Sequence, residues 1–328
     1  MTMILDSAHL VPETWTDGSV ESCYVFNPAI VMIHGRFIMA YRVVTADGVR
    51  RVAISELDAV SLQPKTETIV PLSDLIQDGG QWCADPRFCT FGERLFIHYN
   101  DGWRIPNQIY LLELDPDRLI PRGPARPLVL EGPRLPVEKN WLLFQHDGEL
   151  LAVYRIAPHT ILHVELAGGD RVYCRRLVER DWNSAPYAKQ YGEPRGGTPP
   201  VRIGGIYYSF FHSTYPADFL RRLMGRLRRY MPRNSMRYAA GFYGFAVTPS
   251  FQPVLFTPTP VLRPDRSLPR RRLPPLNPSV KDSVYPSGAV WTGEKWIVAY
   301  GARDELCCIG TLTHDSLLKA SQWLAIDE

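Results

Sequence analysis

Asp85 stands in the segment WCADPRF, where Pro86 is expected to hold the Asp85 backbone extended. A carboxylic acid beside Trp82 in a narrow channel would have its pKa raised, as a general acid requires. The competing role is that of a strand-start Asp that hydrogen-bonds its own turn. Arg42, Lys139, Arg155 and His212 form a second set, at equivalent points of a repeat set out below. Basic groups that converge without matching carboxylates suit an anion, and arginine suits phosphate through its two-pronged fork. Separate salt bridges are the alternative for these four. Arg87 is expected to pair structurally rather than take part in chemistry.

Other chemistries find little support. The eight histidines form neither HxH nor HExxH, and the six cysteines lie without regular spacing, so no metal site is expected. Neither GxSxG nor a glycine-rich phosphate loop occurs, which disfavours a serine hydrolase and a nucleotide-binding α/β enzyme.

A repeat must position these residues. Five segments share one plan of polar start, apolar strand, glycine turn and aromatic-rich strand: 27–42, 85–100, 139–155, 198–212 and 285–301. HG, FG, DG, GG and TG mark their turns, which predicts five β-hairpins. The second strands end at 42, 100, 155, 212 and 300, steps of 58, 55, 57 and 88 residues. Near-even steps of that length fit four-stranded units repeated about an axis, and so an all-β, five-bladed β-propeller built from residues 1–328 as one domain. A two-sheet sandwich would not repeat one hairpin in this way. Strand ends at one mouth of the channel would then bring together Asn27, Asp85, Lys139 with Asn140, Thr198 and Tyr285 at the starts and Arg42, Asn100, Arg155, His212 and Tyr300 at the ends.

Two stretches between the fourth and fifth repeats break the pattern. Within residues 215–237, the stretch 218–231 holds apolar residues at helical spacing among five arginines, which predicts an inserted basic helix. Its basic face is either solvated or a contact, through 219–231, for a membrane surface or an anionic glycan. Residues 258–278, rich in proline and arginine, read as an extended, solvated loop. The net charge of +3 does not imply a nucleic-acid partner, and no nucleic-acid-binding motif is present. The start MTMILDSAHL lacks the pattern of a signal peptide and no apolar run is long enough to span a bilayer, so a cytoplasmic location with reduced thiols is expected. Oligomeric state is not legible.

At these residues the chain resembles glycoside hydrolase family 130, the five-bladed mannoside phosphorylases and their hydrolase relatives. NPAIVMIHGRFIMAYR, ADPRF, EKNWLLF, TPPVRIGGIYYSFFH, TPTPVLRP, YPSGAVW and VAYGARD are similar, in order over about residues 24–312, to the family's motifs. The resemblance implies that Asp85 is the sole protein general acid and that Arg42, Lys139, Arg155, His212 and Tyr300 hold inorganic phosphate, the co-substrate. No cofactor is implied. It places Asp304, with Asn27 and Asn140, against the sugar. Phosphate would then attack the anomeric carbon and invert it, with no carboxylate base needed. Ala84 departs from the family's Glu before the acid, and Trp141 from its smaller residues. The leading expectation is inverting phosphorolysis, or reverse synthesis, of a β-mannoside-like glycan. Alternatives are a glycosyltransferase of the same fold, a non-catalytic glycan-binding propeller and, more weakly, a water-using hydrolase with Glu138 as base.

Overall fold

Each of the five turns carries a glycine at positive φ: Gly35, Gly92, Gly148, Gly204 and Gly293. A tight hairpin turn of type I′ needs positive φ at both central residues, which Gly, Asn and Asp tolerate best. The computed structural model describes residues 2–16, 20–76, 82–102, 105–216, 236–265, 267–269 and 273–325. Strand β1 (Thr2–Leu5) precedes the first hairpin, β2 (Tyr24–Ile33) and β3 (Arg36–Val44), joined at His34 and Gly35 with φ of 49° and 72° and followed by β4 (Arg50–Leu57). The second, β5 (Ala84–Phe91) and β6 (Arg94–Asn100), turns at Gly92 and leads to β7 (Ile109–Leu114) and β8 (Arg126–Leu130). The third, β9 (Leu142–His146) and β10 (Glu149–Arg155), turns at Asp147 and Gly148 with φ of 45° and 85°. It is followed by β11 (His159–Glu165) and β12 (Val172–Arg180).

Short β13 (Arg195–Gly196) and β14 (Val201–Ile203) both pair with β15 (Ile206–Pro216), which pairs in turn with β16 (Met236–Ala246). Strands β17 (Pro253–Phe256) and β18 (Val280–Asp282) flank β16. The last hairpin is β19 (Val284–Trp291) with β20 (Lys295–Ala302), followed by β21 (Leu306–Thr313) and β22 (Gln322–Trp323).

The molecule is mostly β, in four sheets. Parallel pairing of β8 with β12 joins the second and third units into one eight-stranded sheet. Strand β1 adds to the last unit, with Thr2 opposite Gly310. The core is a series of apolar wedges, each shared by two neighbouring units. Ile38 and Ile54 meet Phe88 and Leu95, Phe96 and Leu111 meet Leu143 and Leu162, and Phe144 and Leu151 meet Tyr207 and Phe211. Phe210 and Phe242 meet Trp296 and Val298, and Val25 and Met39 meet Ile297 and Ile309 of the last unit. The last unit therefore packs on the first, which closes the chain of wedges on itself. A strand that feeds wedges on both sides must be apolar on both faces.

The two irregular stretches differ from expectation in part. Residues 217–235 lie outside the described residues, so the basic helix and its contact surface at 219–231 fall there. The ends assigned to it, Tyr215 to Pro216 and Met236 to Arg237, are strand, with Pro216 opposite Met236. That pairing extends the sheet to the edge of the insertion. The described part of 258–278 is irregular, yet it is tied to the ring. Tyr24 Oη donates to the Pro274 carbonyl at 2.5 Å, and Arg303 donates to the carbonyls of Leu268 and Pro269. Among the described residues no helix is long and apolar enough to cross a membrane.

Candidate active site

The inner strands do not run straight into the ring. The β2–β3 ladder shifts register between Phe26 and Ala29, and the β5–β6 ladder between Ala84 and Arg87. Each bulge leaves out an Asx-Pro pair, Asn27-Pro28 or Asp85-Pro86, and bulges of this kind re-aim side chains beside active sites. Asn27, Asp85 and Asn140 all have left-handed backbone, with φ of 51°, 52° and 65°. That conformation is uncommon for non-glycine residues, and Asn and Asp accept it most readily. The expectation that Pro86 keeps Asp85 extended is thus corrected: the bulge overrides the local preference.

These turned-in residues line a cavity of about 410 Å³. It holds Asn27, Arg42, Asp85, Lys139, Asn140, His212 and Asp304, seven of the nine site residues named from the sequence. Asn27 Nδ2 donates to Asp85 Oδ1 at 2.8 Å, and Arg42 Nη1 reaches the same oxygen at 3.3 Å. The Asp85 side chain is 18% exposed. Burial alone would raise its pKa, but Arg42, Arg87, the Asn27 hydrogen bond and Lys139 outweigh burial and hold it below the ordinary value. The expected raised pKa is therefore reversed. Asp304, at the β20–β21 turn, goes the other way. Burial pushes it up to about 6 and the Asp85 charge adds to this, against the pull of Arg42 and Arg50.

Arg155 and Tyr300 are not brought to this cavity. The β10 ladder with β11 shifts between Val153 and Arg155, and the Arg155 guanidinium lies 5.4 Å from the Tyr154 ring centre. Tyr300 faces the other side of β20, where its hydroxyl bonds Thr2 Oγ1 at 2.9 Å. Its neighbour Gly301 is the residue against the site: a Cβ there would fall 2.1 Å from Asn27 Oδ1.

Three lining residues that could bind were missed. Arg50 opens β4 and lies 4.7 Å from the Trp82 ring centre, Arg195 is paired opposite His212 on β13–β15, and Tyr238 stacks on His212. Arg195 and Tyr238 bracket the fourth hairpin, and neighbouring-strand position was the signal that could have found them. The cavity thus faces four cations, Arg42, Arg50, Lys139 and Arg195, against two carboxylates. His212 is buried, and burial, then Arg87, Arg195 and Lys139, hold its pKa well below the ordinary value, so it is neutral. Its Nδ1, Arg42 Nε and Asn27 Oδ1 are buried with no hydrogen-bond partner among the described residues. A neutral imidazole can still donate one N–H to an anion.

Beneath the cavity Arg87 is a structural hub, 1% exposed. Its Nε donates to the Gly197 carbonyl at 2.8 Å, and its Nη2 to Tyr285 Oη at 2.9 Å and Asn140 Oδ1 at 3.3 Å. Tyr285 Oη in turn donates to Asn140 Oδ1 at 2.6 Å. Groups from four hairpin units meet at this one guanidinium. Glu138 is also committed to structure: its carboxylate accepts from Leu135 N, Trp141 Nε1 and Tyr154 Oη.

No protein-family model matches the chain, and no curated protein does. Solved structures share its fold. One is from the GH130 family of mannoside phosphorylases, which contains glycoside hydrolases that target β-1,2 mannosidic linkages in Candida mannan; it is 15% identical over 89% of this chain and 85% of its own, with a TM-score of 0.61. A β-1,2-mannobiose phosphorylase from Listeria innocua, in complex with β-1,2-mannobiose, is 13% identical over 97% and 98%, with a TM-score of 0.58. A mannose phosphorylase from Leishmania mexicana, in complex with phosphate ion, is 14% identical over 94% and 89%, with a TM-score of 0.53.

Proposed function

We propose that the ring is a five-bladed β-propeller, and that its cavity carries out inverting phosphorolysis, or the reverse synthesis, of a β-mannoside-like glycan with inorganic phosphate. The observation that carries this reading is four cations converging on one cavity that also holds a hydrogen-bonded carboxylate, Asp85. The likeness in fold to a phosphate-bound mannose phosphorylase is consistent with it.

In this reading Asp85 protonates the departing glycosidic oxygen, directly or through a sugar hydroxyl. Phosphate, seated on Arg42, Lys139 and Arg195 with an N–H from His212, attacks the anomeric carbon from the other face. Asn27, Asn140 and Asp304 hold the sugar hydroxyls. A water-using hydrolase would need a base, and Glu138 is occupied by three structural hydrogen bonds.

The test is release of phosphate from α-mannose 1-phosphate with a panel of sugar acceptors. Acceptor-dependent release is expected, with a fall of about 10²–10⁴-fold in Asp85→Asn, the usual range for loss of a general acid. Tight glycan binding without turnover would instead make the molecule a binding propeller.

A further inference from the structure

A proton is missing from the resting site. Departure of the glycosidic oxygen consumes one, yet Asp85 is held ionised by two donors on its Oδ1, Asn27 and Arg42. The second carboxyl of the cavity, Asp304, is set on a turn where both Arg303 and Asp304 are left-handed, with φ of 57° and 58°. It makes no hydrogen bond with another described residue, and it lines the same cavity as Asp85 and Arg42. The groups that face the two carboxyls come from all round the ring: Asn27, Arg42 and Arg50 from the first unit, Arg87 from the second, Lys139 from the third, Arg195, His212 and Tyr238 from the fourth, and Tyr285 and Glu305 from the last.

We propose that Asp304 is a second proton-bearing group of the reaction: it shares one proton with Asp85, and that proton enters the cavity together with the anion. The inference rests on the phosphate reading above. A dianion seated on the cations takes over the positive charge that now keeps the carboxylates ionised. At an effective dielectric of about 20, one unit of charge ~6 Å away changes a carboxylate's proton affinity about a hundredfold. Asp304 already lies close to neutrality in its affinity, since burial pushes it up to about 6. It therefore fills first, and Asp85 is charged from the same pool.

The step balances. The C1–O bond to the leaving group breaks, its electron pair stays on that oxygen, and the oxygen takes the proton of the carboxyl pair. The C1–O bond to phosphate forms, and the proton borne by hydrogen phosphate leaves to solvent with the sugar phosphate. Each turnover thus takes one proton in with the anion and returns one with the product.

Calorimetric titration of the full chain with inorganic sulfate at pH 7, in two buffers of different ionisation enthalpy, tests this. Sulfate is a dianion that does not itself titrate near neutrality, so any buffer-dependent heat reports protons taken up by the protein. Uptake of roughly one proton per sulfate is expected in the unaltered protein. Asp304→Asn should still bind sulfate while its uptake falls to near zero. Binding without uptake in the unaltered protein overturns the inference and leaves the phosphate reading standing. Uptake that survives Asp304→Asn but is lost in His212→Gln assigns the proton to the imidazole and also overturns it. Failure of both sulfate and phosphate to bind overturns the phosphate reading and the inference together.

Discussion

Asp85 and Asp304 shift in opposite directions because Arg42, Arg87, the Asn27 hydrogen bond and Lys139 outweigh burial at Asp85, whereas burial outweighs Arg42 and Arg50 at Asp304, which has no donor among the described residues. A buried carboxyl without a donor keeps its proton longer in the folded chain than in the unfolded one. With an unfolded pKa near ~3.9 and a folded value of about 6, the folded state binds more protons between those limits, so stability falls as pH rises through that window. Asp304→Asn should remove the loss: relative to the unaltered protein it gains about 2 kcal/mol between pH 4 and pH 8, read by urea denaturation at the two pH values. Arg195 is exposed and on the cavity wall, so Arg195→Ala should raise the KM for phosphate about tenfold with little change in melting temperature. Most of this set was legible as residues, because Asx-Pro and Lys-Asn at repeat starts are distinctive. Arg155 and Tyr300 fall outside the cavity for a geometric reason. Strand side chains alternate, so a bulge or a one-residue slip sends a side chain to the other face, and neither is visible in residue counts.

At the scale of elements, the hairpins were legible because their turn pairs demand positive φ, whereas the bulges that aim Asn27 and Asp85 were not. A bulge leaves no composition signal beyond the Asx-Pro pair itself. The fit around it is close, and Gly301 shows how close. Gly301→Ala should push Asn27 from Asp85, lowering kcat more than it raises KM and costing about 1–3 kcal/mol of stability, measured by steady-state kinetics and thermal melting. Arg87 is held by groups from neighbouring units, so Arg87→Met would leave several buried acceptors unpaired. A loss of about 3–5 kcal/mol is expected, seen as an early melt before any effect on ligand binding is considered.

The whole molecule closes where β1 joins β21, an arrangement the repeat count could not show because β1 belongs to no hairpin. Leu5, 2% exposed, inserts into the wedge between the first and last units. Leu5→Asp should therefore destabilise the ring by about 2–5 kcal/mol and expose the β21 edge, giving concentration-dependent association in gel filtration. That junction also sets a timetable for biosynthesis. Thr2 pairs with Gly310, so β1 leaves the ribosome roughly 300 residues ahead of its partner, a wait on the order of 15–60 s at ~5–20 residues per second. Throughout that interval the nascent chain carries an orphan strand beside four units that are already folding. At four residues, with one fully buried side chain, β1 is short enough to stay out of wrong ladders and long enough to latch the right one when it emerges.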